Sequence, residues 1–250
     1  RIISLLRNFL SGQGFLEFET PTLQPLYGGA NARPFTTFHN FLGQKLYLRI
    51  APELYLKRLV VGGFEKVFEV AKNFRNEDID TSHNPEFSMV EIYQAYADYN
   101  DMMKLTESLI SSIVKEVTGS DKLAFEENTI SYDTPFQVMS MEDAVRTIGG
   151  VDIFTHDPDT LRQIGKEKGV DGVDNVHTQR EMLVLFFEAL VEDKLVQPTF
   201  ITDFPVENSP LAKSHREKEG FVERFELFIA GMELANGFSE LNDPLDQVQR

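Results

Sequence analysis

The sequence predicts an α+β fold, a mainly antiparallel sheet flanked by helices. Two observations carry that expectation. Strand-like segments cluster towards both ends of the chain with a block of helical patterns between them, and their order is not the strand–helix alternation that builds a parallel sheet. At 250 residues, without an internal repeat, the chain is long enough for a sizeable core in one or two domains.

Taken in order, residues 1–10 place Ile2, Ile3, Leu5, Leu6, Phe9 and Leu10 at helical spacing, and Ser11-Gly12-Gln13-Gly14 stops that helix. Residues 15–19 alternate apolar with acidic side chains, a strand ended by Pro21. A strand at 46–50 leads into a helix at 52–61 closed by Gly62-Gly63. Residues 66–75 and 86–97 read as a strand pair around a polar loop, 76–85. Over 101–117 a stripe of Met102, Leu105, Leu109, Ile113 and Val117 marks a helix, with Gly119 just past its end. Ser140 to Asp143 and Thr178 to Glu181 resemble capping boxes. Asp157-Pro158 opens a helix that Gly169 stops. Strand patterns return at 199–203 and 224–241, so 119–196 reads as a helical subregion within one domain.

Composition narrows the chemistry. Forty acidic against 24 basic residues leave a net charge of −16, which argues against wholesale binding to nucleic-acid backbone or anionic membrane and favours cationic ligands or metal ions. Without cysteine there is no disulfide, thiolate metal site or Cys nucleophile. The apolar runs are far shorter than the ~20 residues of a spanning helix, and a cytoplasmic setting is expected. The chain begins at Arg1, already inside a helical pattern, and is expected to be an excised piece. Phosphate-loop, nucleophile-elbow and paired-histidine metal motifs are all missing.

Three segments carry candidate chemistry. In the first, Phe74-Arg75-Asn76-Glu77 precedes His83-Asn84-Pro85-Glu86-Phe87 and the run from Met89 to Tyr93. Strand alternation puts Phe87, Met89, Glu91 and Tyr93 on one face, and Arg75 with Glu77 on one face. A buried carboxylate in such a row needs a cation or several donors; equally, Glu91 fits a solvated outer face. In the second, Asn236, Phe238 and Glu240 share a strand face, with Glu226 and Glu233 upstream. Two carboxylates on adjacent strands suit Mg²⁺, a hard cation that takes oxygen ligands; ordinary surface acids fit the same pattern. In the third, Gly28-Gly29 opens a segment reaching Phe35, ahead of Ala51-Pro52-Glu53. Paired glycines let backbone approach a ligand closely, or simply make a turn.

Together these segments resemble the catalytic domain of the class II lysyl-tRNA synthetases. Residues 14–21, Gly-Phe-Leu-Glu-Phe-Glu-Thr-Pro, resemble motif 1 and residues 74–93 resemble motif 2. Residues 28–35, 51–58 and 236–243 resemble lysine-specific signatures. The resemblance runs over nearly the whole chain and is weakest in 119–196. Two family parts are not matched: a motif 3 arginine expected after residue 250, and an anticodon-binding OB-fold expected before residue 1. The piece alone is therefore expected to be impaired.

The resemblance implies ATP-dependent activation of L-lysine and transfer to the acceptor end of tRNA(Lys), by a homodimer formed through residues 14–21. It implies Arg75 as the catalytic phosphate clamp. Asn76, Glu77, His83, Asn84, Phe87, Glu233 and Leu234 would join Arg75 in holding ATP, and Glu226 and Glu233 would hold Mg²⁺. Lysine would be held by Gly29 and Glu53 at the α-ammonium, by Glu91, Tyr93 and Glu240 at the ε-ammonium, and by Asn236 at the carboxylate, with Phe238 alongside. The acids at 53, 91 and 240 are expected to converge on one diamine. Two alternatives stand beside this: a related ligase that lysylates a protein such as elongation factor P, and a non-catalytic paralogue.

Overall fold

Cross-strand register, more than helix packing, decides which side chains can meet in this chain. The structure is a computed structural model that describes residues 1–79 and 83–250, in two units, Arg1–Tyr96 and Ala97–Arg250.

The first unit runs α1 (Ile2–Gly12), β1 (Leu16–Glu17), β2 (Leu23–Gln24), β3 (Thr36–His39), β4 (Gln44–Leu48), α2 (Glu53–Val61), β5 (Lys66–Phe74) and β6 (Glu86–Gln94). One sheet has the order β1-β5-β6, the other β2-β4-β3. β1 lies parallel to β5, and only two residues of the expected 15–19 strand are paired. β5 and β6 pair antiparallel over nine residues, from Lys66 opposite Gln94 to Phe74 opposite Glu86. Directly paired residues share a face. Val67, Glu69, Ala71 and Asn73 therefore stand beside Tyr93, Glu91, Met89 and Phe87. The opposite face buries Phe68.

A buried ion pair ties this sheet to the chain that enters α2. Arg49 and Glu69, about 4% and 2% exposed, meet at 2.6 Å. Arg49 also donates to the Lys72 and Thr20 carbonyls, and Thr20 donates to Glu69 through both its backbone N–H and its hydroxyl. The charges are thus compensated on both sides, the condition under which burial is tolerated. Arg49→Met leaves Glu69 uncompensated and is expected to cost about 3–5 kcal/mol; urea unfolding of a full-length protein carrying this sequence measures it.

The second unit runs α3 (Tyr99–Thr118), β7 (Lys122–Phe125), β8 (Asn128–Ser131), β9 (Gln137–Ser140), α4 (Met141–Ala144), α5 (Pro158–Lys168), α6 (Gln179–Leu190), β10 (Thr199–Pro205), β11 (Phe221–Ile229), β12 (Met232–Phe238) and α7 (Pro244–Gln249). Its main sheet has the order β12-β11-β10-β9, antiparallel except for β9 against β10. One face packs on α4, α5 and α6 through Ile201, Phe204, Val222 and Phe228. The other buries Phe200, Phe225, Leu227 and Ile229, with Met102 and Ile110 of α3 against them. A bulge at Asp203, whose φ is +60°, shifts the register in mid-strand.

Capping follows the sequence closely. Asp98 makes a full capping box with Asp101, so α3 begins before residue 101, and Gly119 ends it in the left-handed conformation. Thr178 makes the expected capping box with Glu181, whereas Ser140 is a plain N-cap that accepts from the Asp143 N–H. The segment 119–196 is not purely helical. It holds the β7–β8 hairpin and β9, strands of four residues each, too short to give a period-two signal. No helix among the described residues is long and apolar enough to cross a membrane.

Candidate functional site

In the first unit the candidate groups gather on the face shared by β5 and β6. Glu91 stands directly opposite Glu69. Like charges at paired positions repel, so the partners of each acid matter. Glu69 is neutralised by Arg49. Glu53, buried in the first turn of α2, is met by Lys57 one turn later at 2.6 Å. Glu91 has no such cation: among the described residues its hydrogen bond comes from the Tyr93 hydroxyl, at 3.0 Å. Burial pushes the Glu91 carboxyl up to about 7; the Tyr93 bond and the Arg75 charge pull down, while Glu53 and Glu69 push further up. Of three acids, one is left short of positive charge.

Gly29 bears on this cluster through sterics. Its φ is +91°, and a Cβ there would lie 2.7 Å from Cβ of Glu53 and 3.1 Å from Oε2. The paired-glycine segment is thus a close approach of backbone to Glu53, not a plain turn. Gly29→Ala is expected to displace Glu53 and to lower stability by on the order of 1–3 kcal/mol. Thermal unfolding reads that loss.

Arg75 lies at the open end of the same face. Its guanidinium sits over the Phe87 ring, 5.1 Å from the centroid, and its Nε is buried with no hydrogen-bond partner among the described residues. A buried orphan donor on an arginine is costly unless something accepts from it. β5 ends at Phe74, so strand alternation does not extend from Arg75 to Glu77. Instead the Asn76 N–H donates to the Arg33 carbonyl and the Arg33 N–H to Glu77, which draws the segment after Gly28-Gly29 against the Arg75 turn. Asn76, Glu77, His83 and Asn84 are exposed beside it.

In the second unit, Glu226 of β11 pairs with Asn236 of β12, and Arg224 with Phe238. All four therefore share a face. Burial pushes Glu226 up to about 7, with the Glu233 charge adding and Arg224 opposing. Glu192 is likewise pushed up to about 7, by burial and by Glu188 and Glu233. No three His, Asp or Glu among the described residues are grouped to hold a metal ion by themselves. Glu226 and Glu233 are thus an all-oxygen donor pair. That fits Mg²⁺, which keeps several waters and is bound through one or two carboxylates plus substrate phosphates. Leu234 is exposed. Glu240 makes a bridge with Ala212, which lays the segment from Ser209 to Ala212 against the strand end.

Several participants escape the sequence reading. Glu69 and Asn73 follow from period-two counting back from Arg75, and Arg224 lies two residues before Glu226, so all three were accessible by alternation. Arg49 had no local signal, because its partner is 20 residues away. Glu53 and Glu91 act on each other within the first unit, whereas Glu240 belongs to the second.

Comparison with known proteins supplies the remaining constraint. A family model described as tRNA synthetases class II (D, K and N) matches residues 1–250. The chain is 90% identical over its whole length to a lysine–tRNA ligase of Methanospirillum hungatei JF-1, of which it covers 50%. It is 64% identical to lysine–tRNA ligase 2 of Methanosarcina mazei, covering 49% of that protein. It is also 51% identical over 246 residues to a lysine–tRNA ligase of Saccharolobus solfataricus, covering 50% of it. The chain spans about half the length of the curated relatives it matches.

Proposed function

We propose, from the premise that the chain belongs to the class II tRNA synthetases (D, K and N), that it activates L-lysine with ATP and passes the lysyl group to tRNA(Lys). The observation that carries the choice of amino acid is Glu91, which among the described residues has a phenol bonded to it but no ion-paired cation such as Glu53 and Glu69 have. A cationic guest is what that position lacks, and the ε-ammonium of lysine supplies it. A neutral isostere leaves Glu91 unpaired and is rejected. Glu53 and the Gly29 backbone take the α-ammonium, Asn236 takes the carboxylate, and Glu240, Tyr93 and Phe238 complete the lysine contacts.

In the first step a lysine carboxylate oxygen bonds to the α-phosphorus of ATP as the bond to pyrophosphate breaks. The carboxylate is already ionised at neutral pH, so no general base is required. Positioning and charge stabilisation do the rest. Arg75 offers its planar fork to the α-phosphate, and the orphaned Nε supports that role. Phe87, already under the guanidinium, stacks on adenine with its remaining surface; Asn76, Glu77, His83, Asn84 and the Glu233-Leu234 backbone hold the rest of the nucleotide. Glu226 and Glu233 would hold Mg²⁺, which would supply positive charge against the phosphates when bound. Exposed Ile2, Ile3 and Leu16 on α1 and the edge strand β1 support pairing of two copies through residues 14–21. The setting we propose is cytoplasmic.

Exchange of pyrophosphate into ATP by a full-length protein carrying this sequence tests the reading. Exchange should depend on lysine and not on aspartate or asparagine. Dependence on either of those, or no exchange, overturns it. Charging of a protein acceptor in place of tRNA overturns the second step alone.

A further inference from the structure

Arg224 engages four protein groups in the second unit. Its Nε donates to Asn236 Oδ1 at 3.1 Å and its Nη2 to Glu226 Oε1 at 2.5 Å. Its Nη1 donates to the Asn208 carbonyl and the Ser209 hydroxyl, at 3.1 and 2.9 Å. The plane of the guanidinium lies over the Phe204 ring, 4.5 Å from its centroid. The side chain is about 15% exposed, so its fork is spent on protein groups.

One consequence follows from hydrogen-bond chemistry alone. Arginine has donors and no acceptor, whereas a carboxamide has one acceptor end and one donor end. The end of Asn236 that faces Arg224 must therefore be its oxygen, and the exposed end must be the NH₂ group. A carboxylate is acceptor-only and matches that presentation; an ammonium does not.

We propose that Arg224 is a positioning residue for the amino-acid carboxylate: it fixes the Asn236 carboxamide so that only N–H donors face the substrate. The inference rests on the reading that Asn236 receives the carboxylate. Without Arg224 the amide can rotate, and half of its orientations present an oxygen to an anion. Glu226 also loses its covalently fixed counter-charge, so the test is run without ATP and magnesium.

The experiment compares binding of L-lysine with that of 1,5-diaminopentane, the same diamine without the carboxylate, by titration calorimetry on a full-length protein carrying this sequence. The unmodified protein should prefer lysine. Arg224→Gln should lower lysine affinity about tenfold and leave diaminopentane affinity unchanged, the diamine serving as the control for folding. Arg224→Lys keeps the charge but not the fork, and should lose the preference as well. Equal losses for both ligands in Arg224→Gln, or full preference kept in Arg224→Lys, overturn the inference. If Asn236→Ala loses the preference while Arg224→Gln retains it, the inference falls alone. If the unmodified protein binds both diamines equally, the carboxylate role of Asn236 falls with it.

Discussion

Glu91→Gln is expected to weaken lysine binding by two to three orders of magnitude. An ammonium placed in a partly dry site without its carboxylate is an uncompensated charge worth about 3–5 kcal/mol, and each 1.36 kcal/mol is a factor of about ten. Stability should move the other way. The Glu91 carboxyl rises from an ordinary carboxylate value to about 7 in the folded chain, so between those limits the folded state holds more protons than the unfolded one. Its ionisation therefore costs stability as pH rises from about 4.5 to about 7, by up to roughly 3 kcal/mol before screening. Glu91→Gln, which cannot ionise, should be at least as stable as the unmodified protein at pH 8. Equilibrium unfolding at that pH separates a lost ligand contact from a lost fold.

Arg75→Ala carries the second large effect. Removing a preorganised donor from a developing charge typically costs about 10²–10³ in rate, and lysine-dependent pyrophosphate exchange should fall by that factor. Arg75→Lys should recover little, because a point charge does not reproduce the fork. The variant has a second signature. The Arg75 charge lowers the Glu91 pKa, so its removal should move the pH dependence of lysine binding to higher pH. That displacement reports the proximity of the Arg75 charge to Glu91, while the fall in exchange rate reports its role at the phosphate.

The parts of this protein that a sequence shows well are those fixed by local rules. Helix ends at Asp157, Thr178, Gly119 and Gly169 follow from caps and left-handed glycines, whereas the Asp98 cap that starts α3 ahead of residue 101 was missed. Alternation along β6 placed Phe87, Met89, Glu91 and Tyr93 on one face. What alternation cannot show is which acid is already satisfied. Glu53, Glu69 and Glu91 look alike in sequence; Lys57, Arg49 and the Tyr93 phenol distinguish them, and the Arg49 partnership spans 20 residues. The short strands β7, β8 and β9 were illegible because four residues give too few alternations to separate from a loop. Arg224 was passed over because a charged residue beside another charged residue reads as surface until the register shows Asn236 within its reach.

The affinity for L-lysine between pH 5 and 7, measured by calorimetry on a full-length protein and on its Glu91→Gln variant, tests the central claim most directly. Both ammonium groups of lysine stay protonated over that range, so the protein's own titration sets the slope. The unmodified protein should lose affinity about tenfold per pH unit well below 7, as Glu91 takes up its proton, while the variant should bind weakly with a flat profile. A flat profile in the unmodified protein, or the same slope retained in the variant, would contradict the assignment of Glu91 as the partner of the lysine side chain.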